Sequence, residues 1–404
     1  MRTYDLGTMK IAVVETAPFG GLLHYAVQLA DALAERGHEV DVIAPRDNEL
    51  TAHRGAARMR AVLTSPTASP GRVVTGRARI LAKRAGTAVR LTRAWTRILA
   101  EVRRGRYEVV ILNSDLGLTL TASFALALTA LPGGPPVADV CHNVRTFNRW
   151  GGEDMFKTHP LFKAIETRLL RRLGVVFVHG ESSQKELEAT APGVRTTIIP
   201  HGDERIFTDG PPPPPSDEER ILFFGDWRKV KGLPRLMDAF DELVQRRPSA
   251  RLTIAGRPSA YDFDPEIVRR WAAEHGDRVT VIDSYIPVED VSGVFATARV
   301  VATPYVVGYQ SGVIHLAMTM GRAVVTADIG DLGSAVVDGE TGRVVPPEDR
   351  EALVAALEEV IADPELANRF GDAGRQLVLD RSGWENVAEM VETAVSRLNG
   401  AGYG

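Results

Sequence analysis

Five consecutive prolines, Pro211–Pro215, bounded by Gly210 and Ser216, constrain this chain more than any other feature. Proline fixes φ and has no backbone N–H, so such a run builds neither a helix interior nor a central strand. It predicts a semi-rigid spacer, and hence a domain boundary. The same rhythm of short apolar runs and helical patterns lies on both sides of it. Before it, strands are expected at Lys10–Glu15, around Val40–Ile43, and at Tyr107–Asn113, Val137–His142, Gly174–His179 and Thr196–Pro200. After it they are expected at Arg220–Gly225, Arg251–Ala255, Val279–Ile282, Arg299–Thr303 and Ala323–Thr326. A short extended piece at Val344–Pro347 and three helical segments from about Asp349 to Leu398 follow. Strands alternating with helical patterns read as doubly wound parallel sheets. The expectation is two α/β, Rossmann-like domains facing a cleft: 1–207, a linker at 208–218, and 219–382, with 383–404 as a last helix.

Length agrees, since 404 residues exceed what one core usually serves. With 44% hydrophobic and 25% charged residues the chain is neither disordered nor membrane-like in composition. No stretch approaches the ~20 apolar residues that span a bilayer, nor does the sequence through Glu15 resemble a signal peptide. The single cysteine, Cys141, excludes an internal disulfide and fits a reducing compartment. A soluble, cytoplasmic protein is expected.

Charge is unevenly spread. Arg54–Arg106 holds 14 Lys and Arg against one acid, Glu101, so the remainder carries −17 of the net −4. Within it Ile80, Leu81, Val89, Leu91, Trp95, Ile98, Leu99 and Val102 recur at helical spacing. Two readings stand side by side: a basic amphipathic helix for an anionic membrane surface, or a helix packed on its own domain.

Three stretches carry chemistry. In Val300–Val325 a buried strand breaks at Pro304, passes through Gln310-Ser311-Gly312, and enters a helix apolar on nearly every face. In Phe223–Gly232 a strand ends at Gly225 and a loop presents Arg228 and Lys231, two cations suited to a diphosphate. Strand ends of this kind, with a helix N-terminus beside them, bind anions in open α/β sheets. Gly20-Gly21 opens the first helix and lets backbone approach a ligand, although the three-glycine dinucleotide fingerprint is absent. His142, His179 and His201 end strands or follow them, and a lone histidine at such a place is more often structural than catalytic. Glu181 and Ser182 read equally as a helix cap. No metal-spaced His/Cys cluster, P-loop or nucleophile elbow is present; neither metal nor cofactor is expected, since two cations and a helix terminus could do a metal's work.

These stretches resemble the retaining glycosyltransferases of the GT-B fold, family 4, over nearly the whole chain. The residues that carry the likeness are Gly20-Gly21, Arg36–Val40, the Arg228–Gly232 loop, Ile254-Ala255-Gly256, Asp338–Gly342 with Pro346-Pro347, and Trp384. The resemblance implies transfer of a sugar from a nucleotide-diphosphate donor to a glycan, lipid-linked or small-molecule acceptor, with no nucleic acid involved. It implies His142, Arg228 and Lys231 as the residues at the reaction, and Gly20, Gly21, Gln310, Ser311 and Gly312 around donor sugar and diphosphate. It also implies that the last helix returns to the first domain, and a place in the cytoplasm or on the inner membrane face. The chain departs from the common family pattern. Gly308 and Leu316 stand where two glutamates are usual, and Asp226 where an arginine follows the glycine. A subgroup with YKG-like and QSG loops is the nearer likeness. A nucleotide-sugar epimerase of the same fold and a non-catalytic sugar-binding subunit are the alternatives.

Overall fold

The computed structural model describes residues 7–65, 77–113, 119–144, 160–208, 210–259, 264–308 and 310–400. They fall into two compact units, one drawn from the residues before 147, 153–200 and those from 384 onward, the other from 201–383.

In the first unit, β1 (Lys10–Val14), β2 (Glu39–Pro45), β3 (Arg58–Leu63), β4 (Val109–Leu112), β5 (Val137–Val140), β6 (Val175–Val178) and β7 (Thr196–Ile198) form one parallel sheet. Its order is β3-β2-β1-β4-β5-β6-β7. The connecting helices are α1 (Gly21–Glu35), α2 (Arg77–Gly105), α3 (Thr119–Thr129), α4 (Pro160–Arg172) and α5 (Glu181–Thr190). Central strands such as β4 and β6 are buried at every residue, which is why they read as unbroken apolar runs.

The second unit repeats the plan. Strands β8 (Arg220–Phe224), β9 (Arg251–Ala255), β10 (Val279–Ile282), β11 (Val300–Thr303), β12 (Ala323–Ala327) and β13 (Gly342–Val345) lie in the order β10-β9-β8-β11-β12-β13. Helices α6 (Leu233–Arg246), α7 (Pro265–His275), α8 (Val288–Ala296), α9 (Gly312–Thr319), α10 (Arg350–Ala362) and α11 (Pro364–Ser382) connect and cover them. The piece expected at Val344–Pro347 is a full edge strand, β13, paired from Gly342 to Val345 with β12. The last helix, α12 (Trp384–Gly400), packs on α1 within the first unit. Trp384 meets Tyr25 at 5.0 Å between ring centroids, and Arg36 bonds Glu392 at 2.6 Å.

Two expectations change. Arg58–Leu63 (RMRAVL) was not legible as a strand because its cations find acids only in the fold. Buried Asp41 accepts Arg58 at 2.6 and 2.8 Å and the Tyr107 hydroxyl at 2.5 Å, while Arg60 pairs with Glu101. The apolar stripe of α2 is spent on the core from Leu91 onward. Leu91, Trp95, Ile98 and Val102 are buried in the unit's own core with Leu99 packed against it, and Trp95 stacks parallel on Phe124 at 6.2 Å. Val89 alone of the named set is exposed, and the side chains of Ile80 and Leu81 lie outside those described.

The proline run is held rather than loose. Arg322, 1% exposed, donates to the carbonyl oxygens of Pro213 at 2.6 Å and Pro214 at 3.3 Å, and to Phe295 O at the end of α8 at 2.8 Å. Buried Arg299 does likewise between Asp217 O and Ile361 O. Residues 201–207, expected to end the first domain, pack with the second unit: the Glu204 amide donates to Thr319 Oγ1 at 3.1 Å.

Candidate functional site

In the second unit the strand order reverses direction between β8 and β11, the point at whose strand carboxyl ends open α/β sheets bind ligands. The loops that leave these two strands are the ones singled out in the sequence. After β8 the chain turns at Gly225, with φ of 115°, where a side chain would be strained. Trp227 is fully buried and its amide bonds Arg257 O at 3.0 Å, which anchors the loop to the end of β9. Asp226 is engaged by Arg257 in two bonds, at 3.2 and 2.9 Å, so this carboxylate orients a guanidinium. Arg228 precedes a single 3₁₀ turn, Lys229–Lys231, and Gly232 then starts α6 in the left-handed conformation.

That turn points Lys231 back over the strand end. Its Nζ would come within 2.9 Å of a Cβ placed on Gly225, and it lies 5.5 Å from the centroid of the Tyr305 ring. Tyr305 follows β11, and its hydroxyl receives a hydrogen bond from Ser311 Oγ at 3.2 Å. Lys231, Tyr305 and Ser311 are thus brought together, and the loops are joined by the Val306 amide bonding Val230 O at 2.9 Å. Ser311 is the N-cap of α9 but spends no side-chain bond on capping, so the first amides of α9 face outward from Gly312. Gln310 precedes them, with its Oε1 buried and unmatched by any donor. Behind this turn His315 bonds Ser311 O through Nδ1 at 3.3 Å and stacks on His201 at 4.9 Å. Burial lowers the His315 pKa, so a neutral ring supports the turn. A cavity of about 320 Å³ lies nearby at the ends of β11–β13, lined by Arg235, Asp238, Pro304 and Asp349 among others. Arg228, Lys231, Gln310 and Ser311 do not line it.

In the first unit the corresponding reversal falls between β1 and β4. Gly20 has φ of 88° and starts α1, yet its amide already donates to Glu49 Oε1 at 2.6 Å, and His24 Nε2 meets the same oxygen at 2.7 Å. The Gly-Gly turn is therefore closed by an internal carboxylate. His142 sits past β5, buried, its Nε2 2.9 Å from Asn113 Oδ1 and its Nδ1 3.2 Å from His179 Nε2. Tyr25 sets its ring edge-on to both imidazoles, at 4.7 and 5.4 Å. Burial first, and the neighbouring imidazole second, push the His142 ring well below the usual imidazole range. Sequence reasoning missed Glu15, Asn113, Glu49 and Tyr25. Each is polar or amphipathic beside a strand end, and no spacing rule marks such residues. Among the described residues no group of three or more His, Cys, Asp or Glu is placed to hold a metal, and no helix is long and apolar enough to cross a membrane.

Two doubly wound parallel sheets of this order give the GT-B fold, and the likenesses to known proteins agree. Residues 19–202 match the family model "Glycosyltransferase Family 4" and residues 218–363 the model "Glycosyl transferases group 1". A phosphatidyl-myo-inositol mannosyltransferase of Mycolicibacterium smegmatis is 25% identical over 98% of this chain and 95% of its own length. A glycogen synthase of Mycobacterium tuberculosis is 26% identical over 91% and 89%. Among solved structures, a sucrose-phosphate synthase of Thermosynechococcus elongatus superposes with a TM-score of 0.74 at 22% identity, over 97% of this chain and 100% of that one. The catalytic domain of starch synthase IV of Arabidopsis thaliana gives 0.71 at 14%, over 98% and 100%. The chain is a glycosyltransferase similar to family 4.

Proposed function

We propose that the protein transfers a sugar from a nucleotide-diphosphate donor to an acceptor with retention of anomeric configuration. The observation that carries this reading is the convergence of Lys231, Tyr305 and Ser311 where the second sheet reverses order. A donor diphosphate placed there meets the Lys231 ammonium, the Arg228 guanidinium and the amides at Ser311 and Gly312, with Gln310 beside the sugar. As the bond between C1 and the phosphate oxygen breaks, negative charge grows on the diphosphate, which these groups stabilise in place. One such group typically weighs about 10²–10³ in turnover. The acceptor oxygen bonds C1 on the same face, and its proton leaves with the departing phosphate oxygen. This needs no enzyme nucleophile, consistent with Gly308 and Leu316 at the two positions lacking carboxylates. It needs no metal either, since two cations and a helix terminus supply the charge. His142 serves as a contact to the transferred sugar.

Acceptor recognition falls to the first unit. The named relatives act on a phosphatidyl-inositol lipid in one case and on glycogen in another, so glycolipid, cell-surface polysaccharide and natural-product acceptors are the classes to try. The protein works in the cytoplasm, with the α2 arginines giving reversible attachment to an anionic membrane surface.

A thermal-shift screen against nucleotide sugars identifies the donor, because a bound ligand raises apparent stability. Turnover with the identified donor should then fall about 10²–10³-fold in Lys231→Ala at an unchanged melting temperature. The product anomer, read from its proton coupling, should match the donor's. Wild-type turnover by folded Lys231→Ala would sink the assignment, and product formed without any acceptor would point to an epimerase.

A further inference from the structure

A chain of polar contacts crosses the carboxyl ends of the first sheet, strand by strand. Glu15 follows β1, Asn113 follows β4, His142 lies two residues past β5, His179 follows β6 and Ile199 follows β7. Both amide hydrogens of Asn113 point at acceptors, Glu15 Oε2 and Leu22 O, each at 2.8 Å. Glu15 Oε1 in turn accepts from the amides of Thr16 and Ala17, each at 2.6 Å, the pattern of an ionised carboxylate. Turning the Asn113 amide over would set its oxygen against two acceptors.

Asn113 Oδ1 is thereby fixed toward His142 Nε2, at 2.9 Å, and His142 carries its proton on Nε2. The His142 Nδ1 then offers a lone pair to His179 Nε2 at 3.2 Å, which must donate. On the far side His179 Nδ1 stands 3.2 Å from the Ile199 carbonyl oxygen, which can only accept. Three contacts in series call for three N–H bonds, and two neutral imidazoles hold two. One further proton, on His179 Nδ1, satisfies all three.

We propose that His179 is a positioning residue for His142: it donates Nε2–H to His142 Nδ1, holds His142 as the Nε2–H tautomer, and takes up the pair's next proton itself. The surroundings agree. Tyr25 packs against both rings from α1, and Trp384 of α12 packs on Tyr25. Glu15, at the far end of the Asn113 bridge, supplies the counter-charge. Glu181, on α5, is exposed to solvent at 77% of its side chain, and Asp139, on β5 three residues before His142, is buried.

The effect on catalysis rests on the proposed role of His142, but the tautomers do not. Long-range proton–nitrogen spectra of the full chain labelled with ¹⁵N-histidine, assigned with His142→Gln and His179→Gln, read them directly. The expected result is a neutral His142 protonated on Nε2, with His179 becoming doubly protonated first on acidification. In turnover, His179→Ala should lose about 10-fold to 100-fold in kcat with little change in KM for the donor, since misorientation of one contact has that weight. His179→Gln, whose amide nitrogen can donate but not titrate, should recover most of it, and the protonation step assigned to His179 should vanish from its spectra. His142 protonated on Nδ1, or titrating before His179, would overturn the proposal. So would a His179→Ala enzyme with wild-type kcat. Full turnover by Lys231→Ala, with these tautomers present, would overturn the transferase site and leave the pair standing.

Discussion

Gly232 and Pro304 approach so closely that a Cβ on Gly232 would lie 1.8 Å from the Pro304 carbonyl oxygen. The contact joins the loop after β8 to the loop after β11, and so fixes Lys231 against Tyr305. Gly232→Ala carries two costs. A non-glycine residue at φ of 70° is strained by about 1–2 kcal/mol, and the two loops must also part. Gly37, in the left-handed turn that ends α1, provides the control, with φ of 96° and nothing within 4 Å of its Cβ position. Urea denaturation should show a larger loss for Gly232→Ala than for Gly37→Ala, and only the former should weaken nucleotide binding. Equal losses in both variants would mean that the Pro304 contact does not set the loop.

Arg322 is buried without a carboxylate partner and spends its donors on backbone carbonyls. Burial draws its pKa down to about 10, so it still carries its charge throughout the neutral range. Arg322→Met should leave the Pro213 carbonyl without its donor, while the Phe295 carbonyl keeps the Ala298 amide, and should destabilise the second unit by about 1–3 kcal/mol. The change should also free the proline run. Limited proteolysis between residues 208 and 218 should be faster in the variant under native conditions. An unaltered cleavage rate would show that the prolines stay docked without the guanidinium.

Asp41 gives a pH test of the edge of the first sheet. Burial alone would raise its pKa, but hydrogen bonds from Arg58 and Tyr107 and the charges of Arg58 and Arg60 outweigh this and hold it below the usual carboxylate value. A carboxyl lowered in the folded state adds stability above its unfolded pKa of about 4, and that stability is lost as pH falls through the lower folded value. Asp41→Asn should therefore cost about 1–3 kcal/mol at pH 7, the usual weight of a hydrogen bond to a charged group. The gap to the wild type should narrow as the pH drops below about 4. A gap that stays constant down to acid would assign the loss to packing rather than to the ionised carboxylate.

What was legible in the sequence follows from where the information lies. The central strands of both sheets are buried on two faces, so their apolar runs stand out; β9 was placed to the residue, as was the more exposed edge strand β10. That the Lys231 and Ser311 loops leave strand ends was legible because each follows a buried apolar run, β8 or β11, that breaks at a glycine or proline. β3 was not, because the acids that neutralise Arg58 and Arg60 come from β2 and α2. Nor was the closure of Gly20 by Glu49, since that carboxylate sits 29 residues away on another loop. The same reason hid Asn113, whose role exists only once β1, β4 and β5 are neighbours.

The α2 arginines bear the last prediction, on membrane attachment. Because Leu91, Trp95 and Ile98 are already spent on the core, Val89 is the one exposed large apolar residue among the described side chains of this helix. Arg93, Arg103 and Arg104 remain exposed, while Arg97 is drawn to Glu101 at 2.9 Å. Attachment must then be electrostatic. Each basic residue near an anionic bilayer contributes on the order of 1 kcal/mol, so three give weak, reversible binding. Salt should abolish it, because the screening length shrinks to about 8 Å at physiological ionic strength and further above it. Sedimentation with vesicles is the measurement. The protein should pellet with anionic vesicles at low salt, stay in solution with neutral ones, and be released by salt. Arg93→Glu combined with Arg103→Glu should remove the binding without lowering the melting temperature, since both side chains point to solvent. Protein that remains in the supernatant with anionic vesicles at low salt would mean that α2 is a solvated face of its domain and nothing more. Binding that survives high salt would mean that an apolar segment other than α2 enters the bilayer.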